Sequence, residues 1–370
     1  MTSEISDWFR TVVEAAHATG RHRRLDTVLG PINILAEPLA EPAPNWPSTA
    51  LHQGAASSPF ATVVITRSRP PAAVDRLLRS PAARHSNYQG HGAFPVRWLP
   101  GTHWLARYTH GPYVLRHGRN VIIAGADHTT AQTWTDRVLR EVLIHAGRAH
   151  GFRLCHGAAL AFDKDHGLLL TGESGAGKTD LALKLARALT ASVVTVDRGI
   201  LGHRDGHPAV GTLPFGMNVH HGTLTDLGVV TETLADQYPP VHGKHYLSVA
   251  DTQGWCRVTV QPWARISGVI AVVRSRDAPT RWRRLKHHEI LAVLAAADTG
   301  ASDPGYQTDW LGLTPVQSPE RRTPYGSLDG WLLHYRPQDA LPHDWINDLA
   351  NVAPPAPTPY VCCKKQQQEA

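Results

Sequence analysis

A glycine-rich octet near the middle of the chain constrains the fold more than any other feature. The octet reads Gly172, Glu173, Ser174, Gly175, Ala176, Gly177, Lys178 and Thr179. The apolar run 168–171 before it predicts a strand, and the helical spacing of apolar residues over 179–189 predicts a helix after it. A strand, a glycine-rich turn and a helix in this order are the context of the phosphate-binding loop called Walker A.

Each part of the octet has a physical role in holding phosphates. The glycines allow consecutive backbone N–H groups to curl around phosphate oxygens, and the positive end of the following helix points at them. Lys178 carries the charge that neutralises the β and γ phosphates, and Thr179 offers Mg²⁺ a hydroxyl ligand. The sequence therefore predicts ATP and Mg²⁺ as cofactors, with the whole octet in the nucleotide site.

The first third of the chain has a different pattern. Helical spacing over 7–18 is followed by a Pro-rich stretch over 37–48 and then by short β-like runs between 60 and 126. These features predict a β-rich N-terminal unit over 1–130 with an antiparallel sheet. A helix is expected over 129–149, where apolar residues recur at helical spacing.

The rest of the chain alternates apolar strands with helices, one of them predicted over 282–296 with a basic start. The predicted fold class is α/β, with an α+β N-terminal part. The stretch 301–350 is expected to be a C-terminal extension. The last residues, 351–370, are Pro-rich and then polar, which predicts a disordered tail.

Composition excludes several classes of protein. No run of eighteen uncharged apolar residues occurs, so a membrane-spanning protein is not expected, and the acidic start is unlike a signal peptide. We therefore expect a cytoplasmic protein with reduced thiols, since only four cysteines occur. The net charge of +6 is spread over the whole chain together with 23 histidines, which argues against nucleic acid as a partner.

A GTPase is one alternative class for such a loop. Residues 251–254 read Asp-Thr-Gln-Gly, which has the form of a switch that senses a γ-phosphate. A base-reading motif should then follow the apolar run 269–273, but residues 274–277 read Arg-Ser-Arg-Asp instead. Asp251 is therefore predicted to be a loop or helix-capping residue.

Three features around the octet carry a family resemblance. His156-Gly157 opens a predicted hairpin before the loop, the loop has the form G-x-S-G-x-G-K-T, and an apolar strand closes on Asp197 after it. In these features the stretch 155–201 resembles the C-terminal catalytic domain of the HPr kinase/phosphorylase family. The resemblance implies a phosphoenolpyruvate-carboxykinase-like P-loop domain over about 145–300. It also implies a serine kinase, and it is compatible with a homo-oligomer.

The resemblance and the chemistry of phosphoryl transfer together nominate catalytic residues. We expect Asp197 at the end of a strand beside the P-loop strand, where it either accepts the proton of the acceptor hydroxyl or holds Mg²⁺ with Thr179. For His156 the resemblance implies an active-site contact, and a structural role is the alternative. Asp180 is expected to favour the positive end of the helix or to reach Mg²⁺ through water.

The family's second signature, EIRGLG, which supplies an arginine, is missing here. The resemblance therefore does not extend to phosphorolysis or to HPr as the substrate, and it is greater to divergent relatives, some of which phosphorylate precursor peptides. Lys244, Arg257 and Arg265 are candidates for the missing cation. The predicted function is transfer of the γ-phosphoryl group to a hydroxyl, serine in a peptide or protein. The alternatives are a small-molecule hydroxyl kinase and a nucleotide-dependent regulatory switch without phosphotransfer.

Overall fold

A computed structural model describes most of the chain as a mixed α/β fold with several sheets. The described residues are 2–19, 21–37, 49–50, 59–87, 93–99, 103–107, 111–163, 165–213, 216–229, 231–298, 309, 311–313 and 328–351. Most of the Pro-rich stretch 37–48 and nearly all of the predicted tail 351–370 lie outside these residues.

The described parts of the chain contain both helices and strands. The helices are α1 Thr2–Thr19, α2 Ala72–Leu78, α3 His128–Glu141, α4 Gly147–Ala149, α5 Lys178–Ala188, α6 His221–Asp226, α7 Thr231–Gln237, α8 Val249–Cys256, α9 His287–Ala297 and α10 His343–Ala350. The first eleven strands are β1 Arg21–Leu25, β2 Ile32–Ala36, β3 Thr49–Ala50, β4 Ala61–Thr66, β5 Arg84–Asn87, β6 Ala93–Leu99, β7 His103–Arg107, β8 Tyr113–His117, β9 Asn120–Ala124, β10 Arg153–Ala161 and β11 Gly167–Thr171. The others are β12 Ser192–Thr195, β13 Arg198–Arg204, β14 His207–Thr212, β15 Met217–His220, β16 Lys244–Leu247, β17 Thr259–Val260, β18 Trp263–Arg265, β19 Gly268–Arg274, β20 Arg281–Arg284 and β21 Asp329–Tyr335.

The N-terminal part is β-rich, as its sequence predicts, but its sheet is mixed rather than antiparallel. The described strands form a nine-stranded sheet in the order β3-β1-β2-β4-β9-β8-β7-β6-β5. Its centre is parallel, since β4 pairs in parallel with both β2 and β9. These three strands are apolar on both faces, which is typical of parallel strands covered by helices on both sides.

Helices cover both faces of this sheet. On one face, α1 and α2 bury Ile5, Phe9 and Val74 against the sheet. On the other face, α3 buries Trp134 and Val138. The helix predicted over 7–18 is present as the longer α1. The helix predicted over 129–149 is only partly regular, because its segment Val142–Ala146 is a π-helix between α3 and α4.

The second sheet carries the glycine-rich octet. Within the described residues its main path runs β18-β14-β13-β10-β11-β19-β21-β20, and β12 pairs with β10. Strand β11 pairs in parallel with β19, and β19 in parallel with β21. One face packs against α5, α10 and the hairpin β15–β16, and the other packs against α9.

The two sheets share part of one apolar core. Leu154 of β10, Ile200 of β13 and Ala209 of β14 lie in the same buried cluster as Trp134 and Val138 of α3. Helix α3 therefore joins the N-terminal sheet to the sheet that carries the octet.

One predicted element is wrong in part. The basic start of the helix expected over 282–296 is instead the edge strand β20, and helix α9 begins only at His287. The charges suit an exposed edge strand, because Arg283 pairs with Glu289 at 2.7 Å and Arg284 pairs with Asp329 at 2.7 Å. From the predicted extension 301–350, β21 lies in the octet's sheet and α10 packs against it.

Candidate functional site

The octet has the backbone of a tight loop between β11 and α5. Gly172 has a φ of +146°, and a Cβ atom at this position would lie 2.2 Å from the carbonyl oxygen of Val272. Gly177 has a φ of +96°, and its Cβ would lie 3.0 Å from the ring of Tyr335. Both positions require glycine, because other residues rarely adopt such φ values and have no room for a side chain here. The predicted sequence of strand, loop and helix is present.

Lys178 lies across the mouth of the loop. Its ammonium donates hydrogen bonds to the carbonyl oxygens of Gly172, at 2.8 Å, and Glu173, at 2.9 Å. Burial lowers the pKa of Lys178, and Lys244 lowers it further, whereas Asp197 raises it. The two hydrogen bonds hold the ammonium against the loop. An anion bound by the loop's N–H groups can replace the two carbonyl oxygens as the partner of the ammonium.

Thr179 connects the first turn of α5 to the segment that carries Asp197. Its hydroxyl donates to the carbonyl oxygen of Val196 at 3.0 Å. This contact joins the Thr179 hydroxyl to the residue that precedes Asp197 in the chain. Mg²⁺ prefers hard oxygen ligands of this kind and keeps several waters, so Thr179 and Asp197 fit a site for it.

His156 and Asp197 lie side by side. Nε2 of His156 is 3.6 Å from Oδ1 of Asp197, and about half of the Asp197 side chain is exposed, at 53%. The pKa of His156 is lowered, first by burial and then by Lys178, against a smaller opposing effect of Asp197. The imidazole is therefore neutral at pH 7, and Asp197 remains accessible to an incoming hydroxyl.

The expected position of Asp197 needs one correction. Its strand, β12, is not beside the P-loop strand β11, because β10 pairs with both. Both pairings are antiparallel, so β12 and β11 run in the same direction and end at the same edge of the sheet. His156 lies near the start of β10, which is at that edge too, because Gly157 is in register with Thr171.

Asp180 is held by contacts with two other side chains. Its carboxylate accepts a hydrogen bond from the hydroxyl of Tyr335 and lies 3.0 Å from the ammonium of Lys184. The side chain is buried, and burial and Asp180 together raise the pKa of Tyr335. These contacts attach strand β21 to the first turns of α5, directly beneath the loop.

The three cations proposed to replace the missing signature lie in different places. Arg265 pairs with Asp165, at 2.7 Å, in the turn between β10 and β11, which is at the edge opposite to the loop. Arg257 precedes β17, which pairs with the start of β12, again at the opposite edge. Lys244 begins β16, in register with His220 of β15, and its charge lowers the pKa of both His156 and Lys178.

Arg274 is a further cation at the loop, and sequence reasoning missed it as a site residue. It ends β19, the parallel neighbour of β11, and its guanidinium donates to the carbonyl oxygen of Gly175 at 3.1 Å. Its place after an apolar strand was the available signal, since the carboxyl ends of parallel strands meet at one edge.

The switch-like segment has a structural explanation. Asp251 lies in the first turn of α8 and forms a capping box with Ser248, whose hydroxyl accepts from the Asp251 N–H at 3.1 Å. The prediction of a helix-capping residue is confirmed. This role leaves no structural support for reading residues 251–254 as a γ-phosphate sensor.

Comparisons with known proteins assign no family. No family model matches the chain, and no curated protein matches it. Among solved structures, the HPr(Ser) kinase/phosphatase from Coxiella burnetii is similar at 18% identity over 36% of this chain and 77% of that chain, with a TM-score of 0.24. This similarity is distant and assigns no function to the chain.

None of the described helices is both long enough and apolar enough to cross a bilayer.

Proposed function

We propose that this chain is an ATP- and Mg²⁺-dependent kinase that transfers the γ-phosphoryl group to a hydroxyl, serine in a peptide or protein. The observation that carries the proposal is the meeting of Lys178, Asp197 and His156 at the sheet edge where the glycine-rich loop ends. Phosphoryl transfer requires charge neutralisation, in-line positioning and a group that accepts the hydroxyl proton. This edge has a side chain suited to each requirement.

The glycine-rich loop binds the nucleotide. Its N–H groups and Lys178 hold the β and γ phosphates, and Arg274 adds a second positive charge beside Gly175. Thr179 and Asp197 would hold Mg²⁺, which when bound neutralises charge on the transferred group. Asp180 and Tyr335 act below the loop by fixing the start of α5.

Asp197 and His156 act on the acceptor hydroxyl. The acceptor oxygen forms a bond to the γ-phosphorus while the bond between that phosphorus and the β,γ-bridging oxygen breaks, and ADP leaves. Asp197 accepts the hydroxyl proton, and together with Thr179 it would hold Mg²⁺ when that ion is bound. His156 is a positioning residue, since its neutral ring lies 3.6 Å from Asp197 and limits where that carboxylate can turn.

The test is transfer of label from γ-labelled ATP with Mg²⁺ to a panel of serine peptides and free hydroxy amino acids. Wild type is compared with Lys178→Ala and Asp197→Asn, and Asp236→Asn on the exposed side of α7 is the matched control. We expect Lys178→Ala to lose ATP binding. Asp197→Asn should keep ATP binding but lose transfer by roughly 10²- to 10⁴-fold, and the control should match wild type.

Three outcomes would contradict this function or its parts. ATP binding without label in any acceptor would favour the nucleotide switch. Label in free hydroxy amino acids but not in peptides would favour the small-molecule kinase. Wild-type transfer by Asp197→Asn would remove Asp197 as the proton acceptor.

A further inference from the structure

The loops that follow β19 and β21 are bonded to each other at the edge of the sheet where the octet lies. Both strands run parallel to β11, so both loops begin at that edge. Thr280 donates from its N–H and from its hydroxyl to the carboxylate of Asp339, at 2.8 Å and 3.0 Å. The guanidinium of Arg336 donates to the other oxygen of that carboxylate at 2.7 Å, and the Arg336 N–H donates to the Thr280 hydroxyl at 3.1 Å. We call residues 275–280 and 336–339 the paired loops.

Pro337 brings the paired loops into contact with the octet and its helix. A Cβ atom on Gly177 would lie 3.8 Å from Cγ of Pro337, beside the ring of Tyr335. The ammonium of Lys184, in α5, donates to the carbonyl oxygen of Pro337 at 2.6 Å and lies 3.0 Å from the carboxylate of Asp180. Pro337 itself is partly exposed. Its ring is therefore held next to the last glycine of the octet, with part of its surface open to a ligand.

The paired loops and Asp197 lie on opposite sides of β11. Strands β19 and β21 are on one side, whereas β10 and then β12, the strand that leads to Asp197, are on the other. The proposed transfer requires the γ-phosphate to face Asp197. The N–H groups of a Walker A loop hold the α and β phosphates, so the triphosphate crosses the loop from one side to the other. The ribose and base then leave the loop on the side of the paired loops.

The position beside Gly177 suits an apolar group rather than a phosphate. Arg336 and Asp339 neutralise each other within the paired loops, and the positive charges for the phosphates come from Lys178 and Arg274. Sites for small molecules are lined mainly by apolar groups with few polar ones. A base that packs on the Pro337 ring removes apolar surface of both partners from water, which favours binding.

We propose that the nucleoside of ATP lies against Pro337, with the paired loops as the wall that holds this ring in position. The inference rests on the proposed kinase function and adds the residues that bind the nucleoside. Pro337 contacts the ligand, whereas Thr280 is a positioning residue, because its bonds to Asp339 and Arg336 hold the loop of Pro337 in place.

The test compares ATP with inorganic tripolyphosphate, which has three linked phosphates but no nucleoside. Their Kd values with Mg²⁺ are measured by calorimetry for wild type, Pro337→Ala and Thr280→Val. Alanine keeps the carbonyl group that binds Lys184, and valine keeps the shape of threonine without its hydroxyl. The matched control is Pro208→Ala, because Pro208 is also partly exposed and lies in β14, on the side of β11 away from the paired loops.

Pro337→Ala should weaken ATP binding by roughly fivefold, since part of the apolar contact with the base is lost. Thr280→Val should weaken it by roughly two- to fivefold, because the loop of Pro337 loses bonds to its partner. The Kd of tripolyphosphate should stay the same in both variants, since the octet still holds the phosphates. Pro208→Ala should match wild type with both ligands. Photolysis of wild type with 8-azido-ATP should place label within residues 336–339, and excess ATP should prevent this labelling.

Equal weakening of ATP and tripolyphosphate by Pro337→Ala would overturn the inference, because Pro337 would then only support the octet. Unchanged ATP affinity in Pro337→Ala, or azido label confined to other segments, would overturn it too. In each of these cases, phosphoryl transfer by wild type would leave the kinase function intact. Binding of neither ligand by wild type would overturn the proposed function and this inference with it.

Discussion

Both sheets contain parallel strands whose carboxyl ends meet at one edge, but the two edges differ in how their polar groups are used. At the edge of the N-terminal sheet, the carboxylate of Glu37 accepts from the Thr66 hydroxyl and from the N–H of Arg67, the latter at 3.0 Å. The N–H of Gly125 donates to the Thr66 carbonyl at 3.0 Å. The polar groups of this edge are therefore bonded to one another.

The edge at the glycine-rich loop is open by comparison. Asp197 is about half exposed, and its described ion pair is the contact with His156 at 3.6 Å. Within the described residues, the hydrogen bonds of the Lys178 ammonium go to loop carbonyl oxygens, which it can release when an anion binds. Parallel strand ends thus provide a place for a site, and the site exists where the polar groups there are left available for a ligand.

The largest expected difference between the two sheets comes from replacing one glycine in each with alanine. In Gly172→Ala the new Cβ would meet the Val272 carbonyl oxygen at 2.2 Å, so the loop has to move. We expect ATP binding or transfer to fall by at least roughly 100-fold, since a displacement of about 1 Å at a site has effects of this size. Gly118→Ala, in a turn of the N-terminal sheet where nothing lies within 4 Å, should cost only about 1 kcal/mol of folding stability.

The measurement is ATP affinity by calorimetry together with urea unfolding of both variants. Circular dichroism establishes that Gly172→Ala is folded. A folded Gly172→Ala protein that binds ATP as tightly as wild type would show that the octet does not hold phosphates.

The local part of this site could be predicted from the sequence, and the distant part could not. Residues 172–179 are consecutive, so strand, loop and helix follow from spacing alone. Strand β10 lies between β11 and β12, the strand that leads to Asp197. This strand order depends on pairing between distant segments, which a single sequence does not show. Lys244 and Arg274 arrive from β16 and β19, and no local pattern distinguishes their charges from those of other surface cations.

The same limit applies to the fold. Strand β1 reads Arg-His-Arg-Arg-Leu and was not predicted, because its stability comes from pairing with β2 and β3 rather than from its own alternation. The basic strand β20 was predicted as a helix for the same reason, since its partner β21 lies about fifty residues later in the chain. Buried apolar runs such as β4, β11 and β19 were predicted because burial shows directly in composition.

The next effect in size separates stability from function at the two edges. Glu37→Ala leaves the buried Thr66 hydroxyl and the Arg67 N–H without their acceptor, which should lower the free energy of unfolding by about 1–3 kcal/mol. Phosphoryl transfer by the folded Glu37→Ala protein should be unchanged. Asp197→Ala should show the opposite pattern, with a stability change within about 0.5 kcal/mol and loss of transfer.

Urea unfolding and the label-transfer assay on the same preparations check this pair. If Asp197→Ala destabilised the protein as much as Glu37→Ala does, Asp197 would be a structural residue and the open edge would resemble the closed one.

The smallest effect concerns protonation of His156. Burial and Lys178 hold its pKa in the folded chain below the ordinary value of 6.5. The unfolded chain therefore binds a proton more readily, so the contribution of His156 to stability falls as pH decreases from 6.5 towards the folded pKa. His156→Gln should remove this part of the pH dependence while leaving stability at pH 8 nearly unchanged.

NMR titration of the histidine ring protons, with and without ATP, provides the direct measurement. His156 should titrate below 6.5 in the free protein, and its pKa should rise when ATP brings phosphate charge next to Lys178. This rise is expected only at the open edge, where ATP would bind. If the pKa of His156 stayed the same at saturating ATP, the phosphates would bind away from His156 and Asp197. The acceptor site could not then lie at the sheet edge that these two residues share.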